Sequence, residues 1–65
     1  MTNITTASRL HHLPRNNYYF VLYHNVLCKT VRGWLNGCVY QDEVSKVIYT
    51  RPYTLFRNED WDILE

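Results

Sequence analysis

Residues 47–56, Val-Ile-Tyr-Thr-Arg-Pro-Tyr-Thr-Leu-Phe, constrain this chain more than any other segment: a β-branched run stops at an Arg-Pro pair, with aliphatic and aromatic residues close behind. Pro52 fixes its own φ and has no N–H, and the residue before a proline is biased to extended geometry. The run reads as a strand that leaves its ladder at Arg51-Pro52 and enters a tight, packed turn. The whole chain has 65 residues, and a domain of that size buries only about 60% of the surface its unfolded chain exposes. Six Tyr, two Trp and two Phe supply bulk for so small a core, since each aromatic buries roughly 150–250 Å². A single domain is expected, with too little volume for both a core and a sizeable substrate cavity.

Residues 1–9 are polar, Thr-rich and aperiodic, and read as a loose N-terminal tail ahead of a domain over residues 10–65. Pro14 and Asn16-Asn17 mark a turn before residues 18–23, Tyr-Tyr-Phe-Val-Leu-Tyr, which are apolar on both alternating faces, as a central strand is. Val39-Tyr40, a polar connection at Gln41-Asp42-Glu43, and a second arm over residues 44–51 form a hairpin pattern. Residues 25–37 read two ways. Val26, Leu27, Thr30, Val31, Trp34 and Leu35 recur at helical spacing, with Asn25 as N-cap and Asn36-Gly37 as C-cap. Against a helix, Gly33 costs about 1 kcal/mol relative to Ala in a helix interior. Thr30, Val31 and Trp34 suit a strand equally well, and Asn36-Gly37 is also a strong type I′ hairpin turn.

The chain carries the series His12, Asn16, Tyr19, Val21-Leu22, Val39-Tyr40-Gln41, Ile48-Tyr49-Thr50-Arg51-Pro52 and Phe56, within about residues 11–57. It resembles a family of short bacterial and phage proteins of unassigned function that has a Val-x-Tyr strand and closes on aromatic-x-Arg-Pro-x-x-x-Phe. Pro14-Arg15 stands where that family has Lys-Gly, and Tyr49 where Trp is usual. The resemblance implies a mainly β fold, a strongly bent antiparallel sheet or small SH3-like barrel without long helices. It also implies that Arg51-Pro52 ends the last long strand and that Leu55 and Phe56 plug the open end; it implies no active residues. A second stretch, residues 30–37, resembles the recognition-helix signature of winged-helix excisionases and related phage regulators. That likeness implies an α+β fold and a DNA-facing set of Lys29, Arg32 and Trp34, with Arg32 near a base edge or phosphate and Trp34 packed inward.

Chemistry-bearing residues are sparse. His11, His12, His24 and Cys28 are the only candidate metal set, and no Cys-x-x-Cys or His-x-x-x-His spacing accompanies them. Cys28 and Cys38 read as inert, apolar thiols of a reduced chain, because the first residues lack the basic and apolar regions of a secretory signal. A cysteine nucleophile needs a neighbouring base and a lowered pKa, and sequence proximity to His24 alone does not supply them. No apolar run approaches the roughly 18–20 residues of a membrane span. The Glu59-Asp60-Trp61-Asp62 cluster reads as a solvated face, with Trp61, Ile63 and Leu64 packing the tail back on the sheet.

The net charge of +1 conceals an asymmetry: residues 1–41 hold no Asp or Glu, while all six acids follow from Asp42 onward. Pairing of the two halves within one fold cancels most of such a field. Interleaved cations and aromatics, Arg9, Arg15, Lys29 and Arg32 with Tyr18, Tyr19, Tyr23 and Trp34, suit single-stranded nucleic acid, but the core needs most of those rings. The reading that follows is a cytoplasmic, non-enzymatic binding module of a phage or bacterium, without cofactor or metal. It acts on a host or partner protein through Tyr40, Tyr49, Arg51, Tyr53, Asp60 and Trp61, taken as exposed residues of the types that dominate interfaces. Arg51 pairing with Glu59 or Asp62 is the alternative, purely structural role. A monomer or weak homodimer is expected, because an edge strand over residues 44–51 invites pairing. The DNA-binding regulator is the second functional reading.

Overall fold

The computed structural model describes residues 3–64. Their strands are β1 (Arg9–His12), β2 (Asn17–Thr30), β3 (Gly33–Asp42), β4 (Ile48–Pro52) and β5 (Trp61–Leu64). All pairings are antiparallel, in the order β4-β3-β2-β1-β5. The fold is mainly β, a strongly curled sheet that stays unclosed, so β4 and β5 are edges rather than a barrel seam. The only helical segments among the described residues are three-residue 3₁₀ turns, over Ile4–Thr6 and Tyr53–Leu55, which removes the winged-helix alternative.

The aromatic run at residues 18–23 lies in β2, the middle strand, with Tyr19 buried and Tyr18, Phe20, Leu22 and Tyr23 exposed, so the expected burial of both faces is not found in this one-layer sheet. Between Val21, opposite Tyr40, and Val26, opposite Gly37, β2 advances five residues while β3 advances three. The two extra residues are β-bulges, and bulges bend a strand and increase its twist. Asn25 takes φ 57° there, a left-handed geometry that Asn tolerates. This bend rolls the sheet about its concave face. Leu10, Tyr19, Cys38, Tyr40 and Trp61 from that face, with Ala7 and Phe56, form the core.

Three expectations need correction. Residues 25–37 are neither a helix nor a hairpin turning at Asn36-Gly37: the chain turns at Val31-Arg32, between β2 and β3. Gly33 closes that turn at φ 103°, and the Thr30 hydroxyl accepts from the Arg32 N–H and donates to the Gly33 carbonyl. The helical periodicity had no core to face, for Leu27, Val31 and Trp34 are all exposed. Gly37 instead sits inside β3, where a Cβ would meet the Arg51 carbonyl and Cys28 Sγ.

The second hairpin arm begins at Ile48 rather than Val44, because β3 runs on through Gln41 and Asp42. The Asp42 carboxylate then accepts from the Val44 and Ser45 N–H groups and holds the connection as a loop. The expected N-terminal tail is also ordered from Asn3 onward, while Met1 and Thr2 lie outside the described residues. Asn3 caps the first 3₁₀ turn, Ala7 is buried, and Arg9 opens β1. His24 fixes this segment by bonding the Ala7 carbonyl at 2.7 Å.

Arg51-Pro52 does end β4, and the chain enters a 3₁₀ turn. Of the two residues expected to plug the open end, Phe56 is buried and Leu55 is exposed.

Candidate functional site: an aromatic and cationic cup

Cross-strand register decides which side chains share the concave face. Leu10 lies opposite Tyr19, Tyr19 opposite Asp42, Val21 opposite Tyr40, Tyr40 opposite Tyr49, Cys38 opposite Arg51, and His12 opposite Trp61. Where this face opens between the two sheet edges there is a cavity of about 220 Å³ lined by His12, Arg15, Tyr19, Tyr40, Tyr49, Arg51 and Trp61. Every strand supplies at least one of these residues, and the β1–β2 turn supplies Arg15.

The aromatic wall is continuous. Tyr40 meets Tyr19 edge-on at 5.2 Å between centroids and stacks with Tyr49 at 5.6 Å. Trp61 packs against Tyr19, Tyr40 and Phe56, and the His12 ring tilts over Trp61 at 4.6 Å. Arg51 is held by its own bonds: Nε donates to the Tyr40 hydroxyl at 3.1 Å and Nη1 to the Leu55 carbonyl at 3.3 Å. Its guanidinium lies 5.4 Å from the Trp61 ring centre and 5.6 Å from that of Phe56. The ion pairs among the described residues are Arg9–Glu43 and Arg57–Glu59, so neither Arg51 nor Arg15 has an acidic partner there. The expected pairing of Arg51 with Glu59 or Asp62 is thus replaced by a hydroxyl, a carbonyl and two ring faces.

The field of the cup follows from this arrangement. The pKa of His12 is lowered, first by desolvation and then by Arg51, Arg15 and His11, while Asp60 acts in the opposite sense. Burial raises the hydroxyls of Tyr19 and Tyr40, so both remain protonated donors at neutral pH; the Arg51 hydrogen bond opposes the shift at Tyr40.

Four of the six residues expected at a protein-binding surface meet in this cup: Tyr40, Tyr49, Arg51 and Trp61. Tyr40 and Trp61 are buried rather than exposed, because they form the floor that joins cup to core. Tyr53 lies elsewhere, its hydroxyl bonded to His24 Nδ1 and to the Asn25 N–H. Asp60 does not line the cavity; its carbonyl accepts from the Leu13 N–H. His12, Arg15 and Tyr19 are additional lining residues, brought in by the β1–β5 register and by the curl of β2.

The DNA-type set is on the far arm of the β2–β3 hairpin, with Lys29 Nζ 5.1 Å above the exposed Trp34 ring and Arg32 in the turn. A second, larger hollow of about 390 Å³ runs from that turn to Pro52 and Leu55. No group of three or more metal-ligating side chains occurs among the described residues. His11 stacks on Tyr18 and bonds Asn16, and Cys28 and Cys38 are buried free thiols. Burial pushes the Cys38 thiol up to about 11, the reverse of an activated nucleophile.

No helix among the described residues is long and apolar enough to cross a membrane. Comparison with protein-family models, with curated proteins and with solved structures found no match for this chain.

Proposed function

We propose that this protein is a non-catalytic binding module of a phage or bacterium that engages a host or partner protein in the cytoplasm, as a monomer or weak homodimer. One observation carries the reading: all five strands deliver Tyr, Trp, Arg or His side chains to a single open cup beside the unpaired edge of β4. Tyr, Trp and Arg are the residues that anchor protein interfaces, and an exposed strand edge offers backbone groups to an extended segment. Tyr49, exposed at the rim, and Arg51 are the anchors on β4.

The test is capture of a partner from host lysate by the full chain, followed by affinity measurement with the purified partner. Tyr49→Ala is expected to weaken binding by about tenfold or more, as hot-spot truncation does. Lys46→Ala, in the β3–β4 loop, is expected to leave binding unchanged. Equal affinity of the two variants and the parent chain would refute the reading.

A second reading rests on a separate observation: Lys29, Arg32 and Trp34 cluster on an exposed arm, and residues 25–41 contain no acid. A DNA-binding regulator built on them would contact nucleic acid with a β-ribbon instead of a helix. It requires affinity that falls steeply with salt and is lost with Lys29→Ala and Trp34→Ala.

A further inference from the structure

We infer that the cup is a receptor for an oxyanion, a carboxylate or phosphate group carried on a short stem by the partner. This rests on the binding-module reading and names what enters the cup. Two arginines and a histidine line the cavity and none of its seven lining side chains is acidic. Arg51 is already oriented by Tyr40 and Leu55, and its Nη2 has no hydrogen-bond partner among the described residues. A guanidinium fixed in this way loses little freedom on meeting a carboxylate or phosphate, which it matches with parallel N–H donors. The Tyr40 hydroxyl accepts from Arg51, so its own hydrogen is available to donate.

The nearby acids do not compete for these donors. Asp42 is occupied by the Asn17 side chain and the Val44 and Ser45 N–H groups, and Asp60 lies outside the lining, toward His12. Arg15 lines the cavity, exposed and without a hydrogen bond or ion pair among the described residues, so its guanidinium is free to meet an incoming charge. The cavity holds one side-chain-sized group, below the roughly 300–1,000 Å³ of pockets for drug-sized ligands. Its aromatic wall suits a planar stem, and its cations suit the charged end.

The test is NMR titration of the labelled full chain with inorganic phosphate, phenyl phosphate, benzoate and neutral benzamide. Benzoate or phenyl phosphate is expected to shift the Trp61 indole, Arg51 Nε and His12 ring signals, with benzamide at least about tenfold weaker, the usual worth of a charge-assisted pair. Tighter phenyl phosphate assigns a phosphorylated side chain; tighter benzoate assigns an acidic residue or chain terminus. An anion beside His12 counters Arg51 and Arg15, so the His12 pKa is expected to rise when the cup is filled.

Arg51→Gln tests the central donor. Because Arg51 also bridges Tyr40 and Leu55, the exposed Arg15→Gln is the parallel variant, expected to weaken the anions about three- to tenfold and benzamide not at all. Equal response to benzoate and benzamide, silence toward every anion, or indifference to Arg15→Gln would overturn the inference. If the anions are silent while Tyr49→Ala still abolishes partner capture, the module reading stands and the oxyanion assignment falls.

Discussion

Single residues fix the loops that frame the cup. Asp42 is buried, and its carboxylate accepts from Asn17 Nδ2 at 3.0 Å, the Val44 N–H at 2.7 Å and the Ser45 N–H at 2.9 Å. The Asn17 bond, then the two backbone donors, hold this carboxyl below its ordinary range. A folded pKa beneath the unfolded one means that the stabilisation is fully present above the unfolded value and is lost as pH falls through the folded value. Asp42→Asn is therefore expected to lower the urea midpoint at pH 7 and to converge with the parent chain in acid, a comparison read from denaturation curves between about pH 2 and 7. His24 plays the matching part at the opposite end. The Ala7 carbonyl can only accept, so Nε2 carries the hydrogen, while Nδ1 bonds the Tyr53 hydroxyl, which accepts from the Asn25 N–H. His24→Phe keeps a ring but strands the Ala7 carbonyl and leaves the Tyr53 hydroxyl only its Asn25 partner, and is expected to cost about 1–3 kcal/mol in chemical denaturation.

At the scale of elements, the strands were legible where local chemistry and tertiary need agreed. Residues 18–23 lie in the central strand β2, although only Tyr19 of the run is buried and Tyr18, Phe20, Leu22 and Tyr23 stay exposed, and Arg51-Pro52 ends β4 because proline cannot continue a ladder. The segment at residues 25–37 resisted because its periodic apolar residues are not a buried stripe; Val31 and Trp34 simply remain in solvent. The two glycines there were legible as breakers, but their roles are exchanged. Gly33 makes the turn, whereas Gly37 permits close approach of β4. Gly37→Ala would push a Cβ into the Arg51 carbonyl and to 2.8 Å from Cys28 Sγ, with backbone on one side that cannot yield. It is expected to destabilise by about 3 kcal/mol or more. Gly33→Ala meets nothing within 4 Å and suffers only its φ of +103°, so about 1–3 kcal/mol is expected. The order of the two urea midpoints checks the exchange of roles.

At the scale of the molecule, core and cup share one set of rings, and this sharing explains how much of the site the sequence revealed. Tyr40, Tyr49, Arg51 and Trp61 were readable as interface residue types, but Tyr40 and Trp61 are buried because the same wall closes the core. Their convergence with His12, Arg15 and Tyr19 depends on the His12–Trp61 register and on two bulges in β2, neither of which leaves a local sequence signal. The charge asymmetry is partly absorbed in the same way, as Arg9 from the basic half pairs with Glu43 from the acidic half at 2.7 Å. Of the five Lys and Arg residues without an acidic partner among the described residues, Arg15 and Arg51 line the cup, while Lys29, Arg32 and Lys46 lie elsewhere. A ligand that fills the cup braces all five strands at once, so binding and global stability should move together. At ten times its dissociation constant a ligand adds about 1.4 kcal/mol, which raises Tm by roughly 6–11 °C in a domain of this size. Tyr49→Ala removes a half-exposed rim residue that stacks on Tyr40, and is expected to cut that rise to about a third or less while lowering the unliganded Tm less than a core truncation does. Trp61→Ala removes floor and core together and is expected to lower the unliganded Tm as well, by about 3–5 kcal/mol of lost stability. Thermal scans of the three proteins with and without phenyl phosphate or benzoate separate these outcomes. A rise undiminished by Tyr49→Ala would place the ligand outside the cup.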